Sequence, residues 1–283
     1  YGFNLEFVLI IKIMYNIEEL KNQIICGDCL EVMKTFPDKS IDMVLTSPPY
    51  DNLRTYKGYT FNFEGIAQEI YRVLKDGGVC VWVVGDATIK GSETLTSFKQ
   101  AIYFKELGFN VHDTMIYQKN GYPFPPKNRY YQVFEYMFVF SKGKPKTTNI
   151  LRVPTIGYKH KASTGYKHKA STQRQKDGTL TNMKYKMGLD TRKDDNIWKL
   201  NVGYGKSSLD KISFKHPATF PETLAERHIL SWSNEGDIVL DPMAGSGTTL
   251  KMAKKNNRHY IGIEIAPEYI DIINKRLSIE ENK

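Results

Sequence analysis

The 283-residue chain carries 40 Lys or Arg against 31 Asp or Glu, a formal charge of +9, and 41% of its residues are apolar. These are globular values, enough for one large or two modest domains. Three cysteines exclude a disulfide-stapled scaffold and point to a reducing compartment.

Residues 1–13 are apolar, with only Glu6 and Lys12 charged. The run is too short to span a bilayer and lacks the basic start and cleavage site of a signal peptide. Met14 is a candidate natural start, with 1–13 as an extension, and a soluble cytoplasmic protein is expected. Ile24–Asp28 reads as a strand ending in an acid. A helix over Leu30–Phe36 follows, with Asp28 placed to cap it. Cys26 and Cys29 have C-x-x-C spacing, but no second pair completes a zinc site, so no metal is expected.

Ile41–Leu45 is an apolar run that reads as a buried strand ending at Thr46. Ser47-Pro48-Pro49-Tyr50 then stops it, since neither proline can donate a ladder hydrogen bond and each restricts the residue before it. The result is a rigid corner at a strand's C-terminal edge, where open α/β sheets bind ligands. It offers a hydroxyl, a carbonyl and an aromatic face. Asp51–Phe63, with four aromatics plus Arg54 and Lys57, has no period and reads as a lid loop beside that corner. Next come a helix over Glu64–Lys75, a Gly77-Gly78 turn and a strand over Val79–Gly85. Asp86 is then either a pocket residue or a cap. A helix over Leu95–Leu107 ends at Gly108. Strands Val111–Gln118 and Phe134–Phe140 flank the proline-aromatic loop Gly121–Lys127.

Residues 151–211 hold fourteen Lys or Arg and five Asp or Glu, while the rest of the chain balances at 26 of each. The whole formal excess therefore lies in one insert. Within it an octapeptide, Gly157–Thr164, is repeated at once as Gly165–Thr172. A basic segment with interspersed Tyr and Trp198 is the expected footprint of nucleic-acid binding. Lys159, Lys161, Lys167, Lys169 and Arg174, with Arg54 and Lys57 of the earlier loop, are the candidate phosphate contacts.

Pro217 and Pro221 open a helix that runs to Trp232. Ile238–Asp241 is a strand ending in an acid, followed by the glycine turn Pro242-Met243-Ala244-Gly245-Ser246-Gly247 and a helix starting near Thr248. The two glycines admit a ligand close to the backbone. The turn is not the G-x-G-x-x-G fingerprint and lacks a P-loop lysine. Tyr260–Glu264 is a second apolar strand ending in an acid, where a Rossmann-type unit holds ribose hydroxyls. A last helix runs from Pro267 to Leu277. Together these elements predict an α/β, Rossmann-like, doubly wound and mostly parallel sheet with a basic insert. The domain comprises 14–150 and 212–283, and the insert 151–211.

Ser47-Pro48-Pro49-Tyr50 and Asp241–Thr249, paired in that order, resemble the catalytic and cofactor motifs of the DNA amino-methyltransferases. These enzymes move a methyl from S-adenosylmethionine to an exocyclic base nitrogen. A catalytic motif about 190 residues ahead of the cofactor motif matches the circularly permuted β group. The resemblance covers most of 20–150 and 212–275; Met243 departs from it, standing where the family usually has Phe. It implies a catalytic site of Ser47, Pro48, Pro49 and Tyr50. It implies cofactor contacts from Asp28, Cys29, His216, Thr219, Phe220, Asp241, Met243, Gly245, Ser246, Gly247, Thr248 and Glu264. Double-stranded DNA is the implied substrate, residues 151–211 the implied target-recognition region, and a cognate restriction endonuclease a candidate partner. In that family a leading Ser is associated with cytosine N4 and Asp or Asn with adenine N6. Cytosine N4 is therefore the expected target and adenine N6 the alternative. A protein glutamine methyltransferase or an inert DNA-binding protein fits less well. The first family's tetrapeptide usually begins with Asn and follows the cofactor motif; the second needs neither motif intact.

Overall fold

Apolar runs place the central strands, and the computed structural model shows them side by side. It describes residues 15–49, 61–121, 127–155, 172–182, 190–203, 205–208, 210, 212–216 and 219–279. In chain order these are α1 (Ile17–Leu20), β1 (Gln23–Cys26), α2 (Cys29–Met33), β2 (Ile41–Thr46), α3 (Phe63–Val73) and β3 (Leu74–Val84). The short strands β4 (Thr88–Ile89) and β5 (Ser92–Glu93), α4 (Thr96–Leu107), β6 (Asn110–Lys119) and β7 (Phe134–Ser141) follow. Then come β8 (Arg152–Pro154), β9 (Thr172–Arg174), β10 (Leu180–Asn182), β11 (Thr191–Lys193) and β12 (Ile197–Leu200). A 3-10 turn (Ile212–Lys215), α5 (Glu222–Trp232), β13 (Ile238–Asp241), α6 (Thr248–Lys255), β14 (His259–Glu264) and α7 (Pro267–Leu277) complete the chain.

The main sheet has the order β1-β14-β13-β2-β3-β7-β6-β12. The pairs from β1 to β3 are parallel, β7 is antiparallel to β3 and β6, and β12 runs parallel to β6. Met43, Val44, Leu45, Val81, Val239 and Leu240 are wholly buried, as expected for strands covered on both faces. Beside them Trp82, Phe104 and Phe140 pack ring on ring, and the Trp82 indole N–H donates to Gln100 Oε1 at 2.8 Å. That bond satisfies the one polar atom the aromatic cluster buries on Trp82. The fold is the mostly parallel α/β sheet expected from the sequence.

Three local expectations change and one open alternative closes. Phe63 does not belong to the loop after Tyr50; it opens α3 and packs edge-on against Trp82 and Tyr103. The helix after it ends at Val73, because Leu74 already pairs with Ile41 in the sheet. Asp86 is a cap: its two carboxylate oxygens take the N–H and hydroxyl of Ser97 in the first turn of α4. Last, the described residues of 196–210, grouped with the insert by composition, fold with the sheet domain. Trp198 and Leu200 alternate inward, so Ile197–Leu200 becomes the edge strand beside β6.

Residues to Asn149 with those from Asn196 form one compact unit, and Ile150–Asp195 a second. The second still holds eleven Lys or Arg against four Asp. Its described parts are two antiparallel ladders, β9 with β10 and β8 with β11. Arg152 braces the latter through the Thr191 carbonyl at 2.7 Å. Among the described residues no helix is long and apolar enough to cross a membrane.

Candidate active site

β13 carries Asp241 to the sheet's C-terminal edge and buries it. Its Oδ1 accepts the Thr46 hydroxyl at 2.7 Å and the Met243 N–H at 3.1 Å. Burial pushes the carboxyl up to about 6; these bonds pull against the rise, and nearby Glu264 adds to it. One strand over, β14 ends at Glu264. Its Oε2 accepts the Gly245 N–H at 2.7 Å and its Oε1 the Ala266 N–H at 2.9 Å. Burial raises this carboxyl too, with the backbone N–H bonds opposing.

The turn between β13 and α6 needs its glycines. Gly245 and Gly247 sit at φ 53° and 77°, where a side chain is strained. A Cβ on Gly245 would lie 3.1 Å from the His216 ring, and one on Gly247 2.8 Å from Ile273. His216 in turn stands edge-on to Tyr269, with ring centres 4.3 Å apart.

Beneath the turn lies a cluster of buried charge. Arg276 donates to the Ser246 carbonyl at 2.7 Å, to Thr248 Oγ1 at 3.1 Å, to Glu222 at 2.7 Å and to Asp210 at 3.0 Å. Lys251 reaches the same two carboxylates at 2.9 and 3.0 Å. Burial would raise Asp210, but the Arg276 charge and the Lys251 bond hold it well below the usual range.

A cavity of about 740 Å³ opens along this edge. Ser47, Pro48 and Pro49 line it, as do Cys29, His216, Thr219, Phe220, Asp241, Met243, Gly245, Ser246, Thr248 and Glu264. So most of the residues expected from the sequence stand around one space. Asp28 caps α2, its Oδ1 taking the Glu31 N–H at 3.1 Å, which is compatible with a cofactor contact, while Gly27 and Cys29 beside it line the cavity. Tyr50, Arg54, Lys57, Lys159, Lys161, Lys167 and Lys169 lie outside the described residues. Arg174 ends β9 and is exposed in the second unit. The sequence did not single out Tyr117, Lys119, Glu135, Val202, Gly203 and Phe214, which also line the cavity. Among the described residues no cluster of three His, Cys, Asp or Glu is placed to hold a metal ion, and Cys26 and Cys29 form no disulfide.

A strand-end acid pair, a glycine turn and a proline corner thus stand around one cavity at the carboxyl edge of an α/β sheet, where such sheets bind ligands. The family model described as DNA methylase matches residues 41–275, and the chain belongs to that family. It is 61% identical to the orphan methyltransferase M.BamHII of Bacillus amyloliquefaciens, over 85% of this chain and 89% of that one. It is 31% identical to the type II methyltransferase M.HpaI of Haemophilus parainfluenzae, over 93% and 76%. Among solved structures, the cytosine-N4-specific PvuII DNA methyltransferase shares the fold, with a TM-score of 0.67 at 22% identity over 93% and 88% of the two chains. A DNA modification methylase of Thermus thermophilus, solved with S-adenosylmethionine, matches at TM-score 0.56 and 26% identity over 90% and 94%.

The protein is thus a DNA methyltransferase that uses S-adenosylmethionine. The cavity suits that cofactor. Two buried carboxyls suit a cationic ligand with ribose hydroxyls, and the positive-φ turn lets it approach the backbone.

Proposed function

We propose that the enzyme methylates the exocyclic N4 of a cytosine flipped out of double-stranded DNA. The observation that carries the reading is Ser47. It heads the proline corner and lines the cavity that Asp241 and Glu264 also line. A leading Ser is the family's association with cytosine, and the PvuII neighbour is cytosine-N4-specific.

An exocyclic amine is a weak nucleophile because its lone pair is delocalised into the ring. Ser47 Oγ and the Pro48 carbonyl each accept one of its N–H groups, which draws the nitrogen towards a tetrahedral shape and localises that pair. When bound, S-adenosylmethionine supplies an electrophilic methyl on a sulfonium. Asp241, the Gly245–Thr248 turn and Glu264, with His216, Thr219, Phe220 and Cys29, would hold it in the cavity that Ser47 and Pro48 also line. Alignment and proximity then supply much of the acceleration. The nitrogen is cationic once the new bond has formed, and it then releases a proton to solvent water, since neither a hydroxyl nor an amide carbonyl is basic enough to keep it. Tyr50 stacks on the flipped base and offsets part of the few kcal/mol that flipping costs.

The basic unit around Arg152, Arg174 and the lysines of the octapeptide repeat contacts DNA phosphates and contributes target recognition. Neutralising those residues lowers the log–log salt slope of DNA binding by about one per lost contact; an unchanged slope removes the unit from the DNA. The main test is expression in a methylation-free host followed by single-molecule sequencing. N4-methylcytosine at one recurrent motif is expected, and N6-methyladenine there overturns the cytosine reading.

A further inference from the structure

β6 and β7 run on past the end of β3. Val84, the last residue of β3, pairs with Tyr136, and Tyr136 pairs with Ile116. Lys119 and Glu135 therefore stand beyond the sheet edge as a far wall of the cavity that Ser47 and Pro48 also line. Their side chains form an ion pair at 2.5 Å and are 30% and 16% exposed. Tyr117, two residues before Lys119 and so on the same face of β6, is opposite Glu135 in the ladder. Its buried ring lies 5.9 Å from the Lys119 ammonium.

An ammonium has three N–H donors and no acceptor. Among the described residues Glu135 takes one, which aims the group and leaves donors for a ligand. A base held at Ser47 and Pro48 through its amine turns its remaining hydrogen-bonding edge away from the corner. In cytosine that edge carries N3 and then the C2 carbonyl oxygen, both acceptors. In adenine it carries N1 and then a C–H. A donor-only cation at the far wall complements the first and finds no partner at the second place in the other.

We propose that Lys119, oriented by Glu135, donates a hydrogen bond to the C2 carbonyl oxygen of the target cytosine and is a specificity-determining residue. The proposal rests on the cytosine reading above. A phosphate is the poorer occupant, because the carboxylate at 2.5 Å cancels the charge that a phosphate would seek.

The test is single-turnover methylation of duplexes bearing the motif with one of two target bases. One is cytosine. The other is a 2-aminopyridine C-nucleoside, which keeps the amine and ring nitrogen but has hydrogen in place of the C2 oxygen. Wild type is expected to lose about tenfold or more on the analogue, the range of a hydrogen bond to a charged group. Lys119→Met is expected to lose about as much on cytosine, and then to lose nothing further on the analogue, with cofactor affinity by calorimetry near wild type. Lys119→Arg keeps donors and is expected to recover part of the cytosine rate. Losses that multiply instead of merging overturn the proposal. So do equal losses on both bases with a salt slope lower by about one, which mark a phosphate contact. If sequencing finds N6-methyladenine, the cytosine reading has failed. If it finds N4-methylcytosine and the losses multiply, the role of Lys119 alone has failed.

Discussion

At the end of the cavity where we place the cofactor, the charged groups are held from behind. Glu264 takes two backbone N–H groups, Asp241 takes a hydroxyl and another N–H, and Arg276 ties the turn between them to Asp210 and Glu222. At the far wall Lys119 and Glu135 pair side chain to side chain, partly in solvent. Backbone donors cost no rotamer entropy to aim, whereas two long side chains do. The cofactor end is therefore shaped before any ligand arrives, and the base end is held more loosely. That division suits a site that takes the same cofactor every turn but must admit a base extruded from DNA.

The largest expected effect breaks the contrast from the cofactor side. Arg276→Met leaves Asp210 and Glu222 buried with Lys251 as the remaining cation of the cluster among the described residues, and it frees the Ser246 carbonyl. Removing one member of a buried charge network costs about 3–5 kcal/mol. Denaturant unfolding should show that loss, together with weaker cofactor binding; a change below about 1 kcal/mol would mean the cluster is not holding the turn.

Next is the corner itself. Ser47→Ala removes one acceptor for the amine and no part of the cofactor site. The single-turnover rate should fall about a hundredfold, the scale for losing one positioned polar group in an active site. Cofactor affinity by calorimetry should stay put. Tyr50→Ala should weaken capture of the flipped base by about 1–3 kcal/mol while Tyr50→Phe keeps most of it, since the ring face does the stacking. A wild-type rate in Ser47→Ala, or equal inactivity of both Tyr50 variants, returns the tetrapeptide to a plain rigid turn.

The same contrast explains what the sequence made legible. β2, β13 and β14 are continuous apolar runs ended by a motif, so both strand and site could be read along the chain. The far wall could not, because Tyr117 meets Glu135 only through the register of an antiparallel pair. β12 was hidden in a charge-rich stretch: four residues, of which only Trp198 and Leu200 point inward. Arg276 and Lys251 look like surface residues until Asp210, at 66 and 41 residues' separation, is brought under the same turn. Asp28 and Asp86 show the reverse limit. Each acid follows a strand, yet each is bonded to the first turn of the next helix, and spacing alone does not separate a cap from a ligand contact.

The smallest effect tests whether the prebuilt end is also a titrating one. Burial raises the Asp241 carboxyl to about 6, above the ordinary value of 3.8. Its protonated form is thus the one favoured by folding without a ligand. That contribution is complete below about pH 4 and is lost as pH rises through 6, so the cofactor-free protein should lose stability over that window. A cationic cofactor reverses the preference, because it is attracted to the carboxylate. Its affinity should then rise with pH and level off above about 6. At pH 5 about one molecule in eleven would carry the carboxylate, so affinity should be about tenfold below its plateau. Glu264, raised in the same direction, broadens the transition. Asp241→Asn should remove most of both slopes, leaving the Glu264 share. Calorimetric titrations of S-adenosylmethionine at about pH 5, 6 and 7.5 read the cofactor slope directly. An affinity flat across that range in the wild type would mean that Asp241 keeps its proton when the cofactor binds, and that the sulfonium is balanced elsewhere in the cavity.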